Sequence, residues 1–126
     1  MREILLMSFL GADQVGQFAR LMAILQRYPV DILDVGQAVI HDQLTLGMVI
    51  ATQDATAAAL AMKEILFEAH ALDLTVRFKH ISEEHYARWV SEGGRTRHIV
   101  TILARRITPA HLQAIARTVS SHGFTI

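Results

Sequence analysis

The sequence has no cysteine, few prolines and no excess of charge of either sign. Without cysteine it can form no disulfide, no zinc–thiolate site and no thiol nucleophile. Lysine plus arginine number 12, as do aspartate plus glutamate, so the basic surplus of a nucleic-acid-binding protein is missing. No apolar run reaches the roughly 18 residues of a membrane span, and the amino terminus lacks the basic flank and cleavage site of a signal peptide. These absences predict a cytoplasmic protein with neither a membrane nor a nucleic acid as partner.

The apolar residues that are present alternate between strand-like and helix-like spacing. Short apolar or β-branched runs predict four strands, at 4–10, 30–40, 44–52 and 74–81. Apolar residues recur at helical spacing after Gln17 and again after Asp54, whose carboxylate can cap the second helix. The order β-α-β-β-α-β predicts an α+β, ferredoxin-like domain over residues 1–81. In that fold an antiparallel four-stranded sheet carries both helices on one face.

Two breaker residues refine this prediction. Pro29 ends the first helix after Tyr28, because proline disfavours helical geometry in the residue before it. Gly36 interrupts the β-branched residues of the second strand, which predicts a bulge or a close approach of another backbone.

The remainder of the chain resembles the beginning of a second copy of the same unit. Residues 82–96 predict a connecting helix and linker that break at Gly93-Gly94. Residues 97–126 align with 3–32 without a gap, so a strand, a helix and the start of a second strand recur. A repeat that stops there cannot close its own sheet, so either the chain is a fragment or another chain completes it. The alternative is a chance likeness between two strand–helix pairs.

A loop between the first strand and the first helix is the candidate binding site. It reads Gly11-x-Asp13-x-x-Gly16, with aspartate where a dinucleotide-binding loop has glycine. The amino end of a helix attracts an anion, whereas the Asp13 carboxylate attracts a cation. Together they predict a zwitterionic ligand, of which a free α-amino acid is the simplest. The alternative is that Asp13 only caps the helix and the glycines only turn the chain.

Asp31 and Asp34 begin the second strand, at the opposite end of the sheet from that loop. A two-fold or pseudo-two-fold pairing of units would bring the two ends together. The competing interpretation is that these aspartates protect a strand edge or form a turn.

No catalytic constellation is recognisable. The seven histidines show no metal-binding spacing, and the sequence contains neither a nucleophile elbow nor a phosphate-binding loop. The chain alone is therefore not expected to be an enzyme or to hold a metal or other cofactor.

Several segments resemble the N-terminal regulatory region of bacterial phosphoserine phosphatases. They are Met1-Arg-Glu-Ile, Gly11-x-Asp13-x-x-Gly16, Asp31-Ile-Leu-Asp-Val-Gly-Gln-Ala-Val-Ile-His-Asp42, Leu74-x-Val-Arg-Phe78 and Arg97-His-Ile-Val-Thr-Ile-Leu103. In that family two amino-acid-binding ACT domains precede a catalytic domain of the haloacid-dehalogenase type. The resemblance implies a module that binds an amino acid, with L-serine the implied ligand, and that associates into a homodimer through its sheets. The implied ligand-binding residues are Gly11, Asp13, Gly16, Asp31 and Ile32.

The same resemblance places the phosphatase chemistry elsewhere. The family's catalytic domain hydrolyses O-phospho-L-serine with Mg²⁺ and an Asp-x-Asp-x-Thr motif, which this sequence lacks. Val15 and Asp31 stand where the family usually has proline and asparagine. A ligand-free oligomerisation module is therefore one alternative, and a tandem-ACT regulator with no attached enzyme is another.

Overall fold

The structure is a computed structural model that describes residues 2–91 and 100–124. It contains the four predicted strands and both predicted helices in the predicted order. The elements are β1 (Glu3–Ala12), α1 (Gln17–Leu25), β2 (Val30–Ile40), β3 (Gln43–Thr52), α2 (Ala55–Ala71), β4 (Leu74–Ile81), α3 (Glu83–Trp89) and α4 (Pro109–Ser121). The bounds of β2 and β4 are those that the sequence predicts, because a turn residue stands at each of their ends.

The four strands form one antiparallel sheet in the order β2-β3-β1-β4. Side chains alternate between its two faces. On β1, Leu5, Met7 and Phe9 are buried on the face that carries the helices, whereas Ser8 and Leu10 are exposed on the other. The ferredoxin-like fold is therefore confirmed, with one covered face and one largely open face.

The core lies between the covered face of the sheet and helices α1 and α2. Leu21 and Leu25 of α1 and Ile65 of α2 pack in one cluster with the inward residues of β1 and β3. Burying each such side chain contributes about 1.5–3 kcal/mol. Two ion pairs also reach α2, one from Arg20 of α1 to Glu68 and one from Arg27, just after α1, to Glu64.

A side-chain cap, Asp54, marks the start of α2. Asp54 precedes the helix in extended conformation, and its carboxylate accepts hydrogen bonds from the N–H groups of Thr56 at 2.9 Å and Ala57 at 3.2 Å. These are two of the donors that a helix leaves without intrahelical acceptors. The predicted cap is confirmed.

The bulge that Gly36 suggested lies elsewhere. Gly36 pairs in regular register with Gly47, and the irregularity falls between Ile32 and Asp34. A side chain added at Gly36 would meet nothing within 4 Å. The prediction was wrong: Gly36 is exposed, in regular register and with open space beside it, so neither a bulge nor a close backbone accounts for this glycine.

By its internal contacts the chain divides into two units, Met1–Arg95 and Thr96–Ile126. In the second, Thr108 precedes α4 and accepts from the His111 N–H, and the His111 ring accepts in return from the Thr108 N–H. Residues 100–108 carry no strand. The Gly93-Gly94 break and both ends of the predicted repeat lie outside the described residues, so the domain bounds 1–81, 82–96 and 97–126 stay a prediction. None of the described helices combines the length and apolar character needed to cross a membrane.

Candidate functional site

The first glycine of the candidate loop is required by packing. A Cβ at Gly11 would lie 2.6 Å from the Asp73 carbonyl oxygen and 2.9 Å from a methyl group of Leu74. The turn before β4 therefore passes too close to the end of β1 for any side chain. This packing alone explains why position 11 is glycine, so the glycine is not by itself evidence of a ligand.

The second glycine shapes the amino end of α1. Gly16 immediately precedes the helix with a φ of 86°, in the left-handed region that favours glycine. No side chain caps this helix, and its first turn holds no acidic residue. The leading N–H groups of a helix lack intrahelical acceptors, so this end is a surface where an anion can bind.

Gln17 holds the loop in shape, which the sequence did not indicate. Its side chain is buried, with 3% of its surface exposed. Its Nε2 donates to the carbonyl oxygen of Ala12, and its Oε1 accepts from the N–H of Gln14, both at 2.9 Å. A glutamine after a glycine turn looks like an ordinary surface residue, and only the folded loop shows that it points inward.

Asp13 lies at the tip of this loop with an exposed side chain. Its N–H donates to the carbonyl oxygen of Asp42 at 2.8 Å, which ties the loop to the turn between β2 and β3. The Asp13 carboxylate makes no cap on α1. The loop therefore offers a carboxylate and an uncapped helix end on one side of the domain.

A histidine–aspartate pair borders the loop. His41, in left-handed conformation with a φ of 59°, places its Nδ1 3.0 Å from the Asp42 carboxylate. The hydrogen bond to this ring holds the pKa of Asp42 below its ordinary value. Asp42 is thus an anion at neutral pH, and it lies next to the backbone position that anchors Asp13.

Asp31 and Ile32 lie far from the loop within the same unit. Asp31 pairs with Ala51 near one end of β3, whereas Gly11 pairs with Leu44 at the other. Seven residues of β3 separate these positions, about 23 Å at the usual rise per residue of a strand. One free amino acid cannot touch both groups in a single copy.

Arg2 occupies the Asp31 end of the sheet. Its guanidinium donates to both carboxylate oxygens of Glu83, at 2.7 and 2.8 Å, and lies 5.7 Å from the centre of the Tyr86 ring. These hydrogen bonds raise the pKa of Arg2, and the Asp31 carboxylate adds a smaller effect in the same direction. α3 is thereby fixed at this end of the sheet.

Residues 2–91 and 100–124 contain no group of three or more histidine, aspartate or glutamate side chains that could hold a metal ion. The Asp13 carboxylate and the amino end of α1 are groups that can bind a small dipolar molecule through charge and hydrogen bonds.

Among curated proteins, the chain is similar to the phosphoserine phosphatase SerB2 of Mycobacterium tuberculosis. The two are 30% identical over 122 residues, which is 96% of this chain but 29% of the relative. The chain therefore spans less than a third of the length of that relative.

Among solved structures, one similar protein is assigned as a glycine cleavage system transcriptional repressor. Its TM-score is 0.61 at 18% identity, over 65% of this chain and 47% of that one. Another is an ACT domain protein from Streptococcus pneumoniae, with a TM-score of 0.54 at 15% identity, over 62% of this chain and 89% of that one. At these identities the likeness shows the fold alone.

A sequence model of the ACT domain matches residues 3–79, which run from the first residue of β1 almost to the end of β4. The matched residues include the Gly11–Gly16 loop and Asp31. More than half of the chain fits that model, and the fold is that of solved ACT domains. The chain belongs to the ACT domain family.

Proposed function

We propose that this chain is the regulatory, amino-acid-binding module of a phosphoserine phosphatase, with L-serine as its ligand. The observation that carries the proposal is the uncapped amino end of α1 beside the Asp13 carboxylate. Similarity to the M. tuberculosis phosphoserine phosphatase supports the choice of enzyme. The chain matches only 29% of that relative, so the phosphatase chemistry is assigned to a part of the protein outside this sequence.

In the proposed complex the two charges of the amino acid meet opposite charges of the protein. The ligand carboxylate accepts hydrogen bonds from the free N–H groups at the start of α1. The ligand ammonium is attracted by Asp13. A phosphate monoester would place more negative charge against Asp13 and Asp42, so a free amino acid is favoured over a phosphorylated one.

In this proposal Asp31 contacts the ligand from a second unit. Because it lies at the other end of the sheet from Gly11, a ligand that contacts both is shared between two units related by a two-fold or pseudo-two-fold axis. Such a ligand stabilises the paired arrangement by the difference between its affinities for the paired and unpaired states. Ligand binding would thereby be linked to subunit association, and through it to the activity of an attached enzyme.

Calorimetric titration of the 126-residue chain tests this proposal. L-serine should release or absorb heat with a saturating isotherm, glycine should bind more weakly, and L-leucine and O-phospho-L-serine should not bind. Asp13→Asn should abolish the L-serine isotherm. Glu84→Gln, which removes an exposed carboxylate from α3, is the matched control and should leave it unchanged. No heat with any ligand at high protein concentration would refute amino-acid sensing by this chain.

A ligand-free association module is the second candidate function. It is favoured by the interior of the loop, where the Gln17 side chain already satisfies the Gln14 N–H and the Ala12 carbonyl. Gly11 and Gly16 also have conformational reasons to be glycine. Under this alternative, Asp13→Asn leaves both the association of the chain and the activity of any attached enzyme unchanged.

A further inference from the structure

Helix α2 is apolar on the side that faces away from the core. One side of the helix packs in the core through Ile65. The opposite side carries Leu60 and Phe67, which are 49% and 68% exposed. A surface helix normally has charged and polar residues on the side away from the core, whereas a helix that is apolar all round is covered all round. The exposed side of α2 is therefore a candidate contact surface.

The residues on this side form a pattern that is nearly the same in both directions along the helix. Called here the outer face of α2, they are in chain order Thr56, Leu60, Lys63, Glu64, Phe67 and Ala71. At 3.6 residues per turn these positions share one side of the helix, and all of them are exposed or partly exposed. Small side chains stand at the two ends, large apolar side chains come next, and opposite charges occupy the centre. A surface with this order matches a second copy of itself that runs antiparallel.

The two central charges can each take a partner from another chain. Lys63 is exposed, and no carboxylate of residues 2–91 and 100–124 lies within ion-pair distance of it. Glu64 interacts with Arg27, at 3.4 Å, and with the Tyr28 hydroxyl, yet 39% of its side chain is exposed. A carboxylate has about four acceptor positions, so a second cation can bind to Glu64.

We propose that the outer face of α2 packs antiparallel against the outer face of α2 in a second copy of this chain. The two-fold axis passes between Lys63 and Glu64, perpendicular to the helix. Leu60 of one copy then contacts Phe67 of the other, and Lys63 of one copy lies beside Glu64 of the other. Each contact occurs twice, because the axis makes the interface self-complementary.

The charges select this orientation over a parallel one. In a parallel pair each residue faces its own counterpart, so Lys63 would lie against Lys63 and Glu64 against Glu64. Like charges set against each other across an interface disfavour it. The antiparallel pair also places the positive amino end of each helix beside the negative carboxyl end of the other.

Helix α1 leaves room for the second copy and adds to the contact area. It lies beside α2, to which Arg20 joins it, and it exposes the small side chains of Ala19 and Ala23. At 1.5 Å per residue and about 12 Å in diameter, the two helices present at most roughly 450 Å² per copy. Two copies thus bury on the order of 900 Å², in the size range of weak, transient contacts. The dimer is therefore expected to form only at high concentration.

This contact differs from the association through sheets that the family resemblance implies. It uses no strand, so the edge strands β2 and β4 stay free for other contacts. It also involves neither Asp13 nor Asp31, and so goes beyond the proposed amino-acid site. Calorimetry with L-serine reports on that site and sedimentation reports on the helix contact, so failure of one proposal is distinguishable from failure of the other.

Sedimentation equilibrium of the full chain up to about 1 mM tests for the weak dimer. We expect Phe67→Asp to weaken dimerisation at least about tenfold, because a charge would be buried in the contact. Ile40→Asp, which changes a residue 78% exposed at the edge of the sheet, is the matched control and should dimerise like the wild type. Both variants should unfold in urea as the wild type does. A monomeric wild type, or a loss in Ile40→Asp as large as in Phe67→Asp, would overturn the proposal.

Exchanging the two central charges tests the position of the axis. Lys63→Glu and Glu64→Lys should each weaken dimerisation at least about tenfold, because each alone creates two like-charge contacts. A chain that carries both substitutions should regain the wild-type affinity within about threefold, because opposite charges again lie side by side. A doubly substituted chain that dimerises no better than the single variants would contradict the proposed axis.

Introduced cysteines test the register, because the chain has none of its own. A disulfide requires Cα atoms within about 7 Å of each other. A mixture of Leu60→Cys and Phe67→Cys chains should cross-link on oxidation, because these positions face each other across the axis. Leu60→Cys alone should not, because its two copies lie about 10 Å apart along the helix. Cross-linking of Leu60→Cys alone, or none in the mixture, would overturn the antiparallel pairing.

Discussion

The backbone N–H of Asp13 donates a 2.8 Å hydrogen bond to the carbonyl oxygen of Asp42. This bond joins the loop that precedes α1 to the turn between β2 and β3. The loop is held on its other side by the buried Gln17 side chain. A surface loop fixed at both sides presents Asp13 and the start of α1 in a defined arrangement, so a ligand need not order the loop when it binds.

Removing the Gln17 side chain should loosen this loop. In Gln17→Ala the Gln14 N–H and the Ala12 carbonyl lose their side-chain partner, and the two lost hydrogen bonds of about 0.5–1.5 kcal/mol each cost about 1–3 kcal/mol together. The free energy of unfolding in urea should fall by that amount, and any L-serine affinity should fall with it. Gln26→Ala, at the exposed carboxyl end of the same helix, is the control and should change either quantity little.

Replacing Gly11 should disturb the junction of β1 and β4. The new methyl group of Gly11→Ala would lie 2.6 Å from the Asp73 carbonyl oxygen, so backbone must shift. We expect a loss of at least about 1 kcal/mol in unfolding free energy, typical of overpacking. Gly47→Ala, where a Cβ meets nothing within 4 Å, should be neutral or slightly stabilising. Equal losses in the two variants, measured at low micromolar concentration, would argue against the close approach.

The Arg2–Glu83 pair predicts a pH dependence. The hydrogen bonds from Arg2 hold the pKa of Glu83 below its ordinary value of 4.5. A carboxyl whose pKa is lowered by folding stabilises the protein above the unfolded pKa, and this contribution is lost as the pH falls through the folded pKa. Thermal unfolding should therefore shift downward below about pH 4.5, and less so in Glu83→Gln.

Glu84→Gln, one residue further along α3, is the control for this measurement. Its carboxylate lies 3.9 Å from Arg88 on the exposed face of the helix, a pair that contributes little. It should follow the wild-type curve. If Glu83→Gln does so as well, the ion pair with Arg2 does not stabilise the fold.

Local rules account for the part of this fold that the sequence could predict. Asp54 caps α2 through its own side chain and two nearby N–H groups, so the three residues involved suffice to predict it. The alternation of apolar residues in β1 likewise depends on its neighbours along the chain. The position of Asp31, at the other end of the sheet from Gly11, could be predicted from strand topology, because consecutive elements of this fold run in fixed directions.

The features that could not be predicted depend on contacts distant in sequence. Gly36 pairs in regular register with Gly47, whereas the irregularity falls between Ile32 and Asp34, and one strand alone does not show its register. Gln17 is buried because the loop folds back over it. The 2.6 Å approach that requires Gly11 comes from Asp73, which is 62 residues away.

An amide NMR titration of the full chain with L-serine tests the central claim most directly. The ligand is proposed to bind the start of α1 in one unit and Asp31 in another, so two separated regions should respond to one ligand. We predict saturable shifts at the amides of Gln17, Phe18 and Asp13 together with Asp31 and Ile32, all at one apparent affinity. Unchanged spectra at millimolar L-serine, or shifts confined to residues away from both regions, would contradict the account.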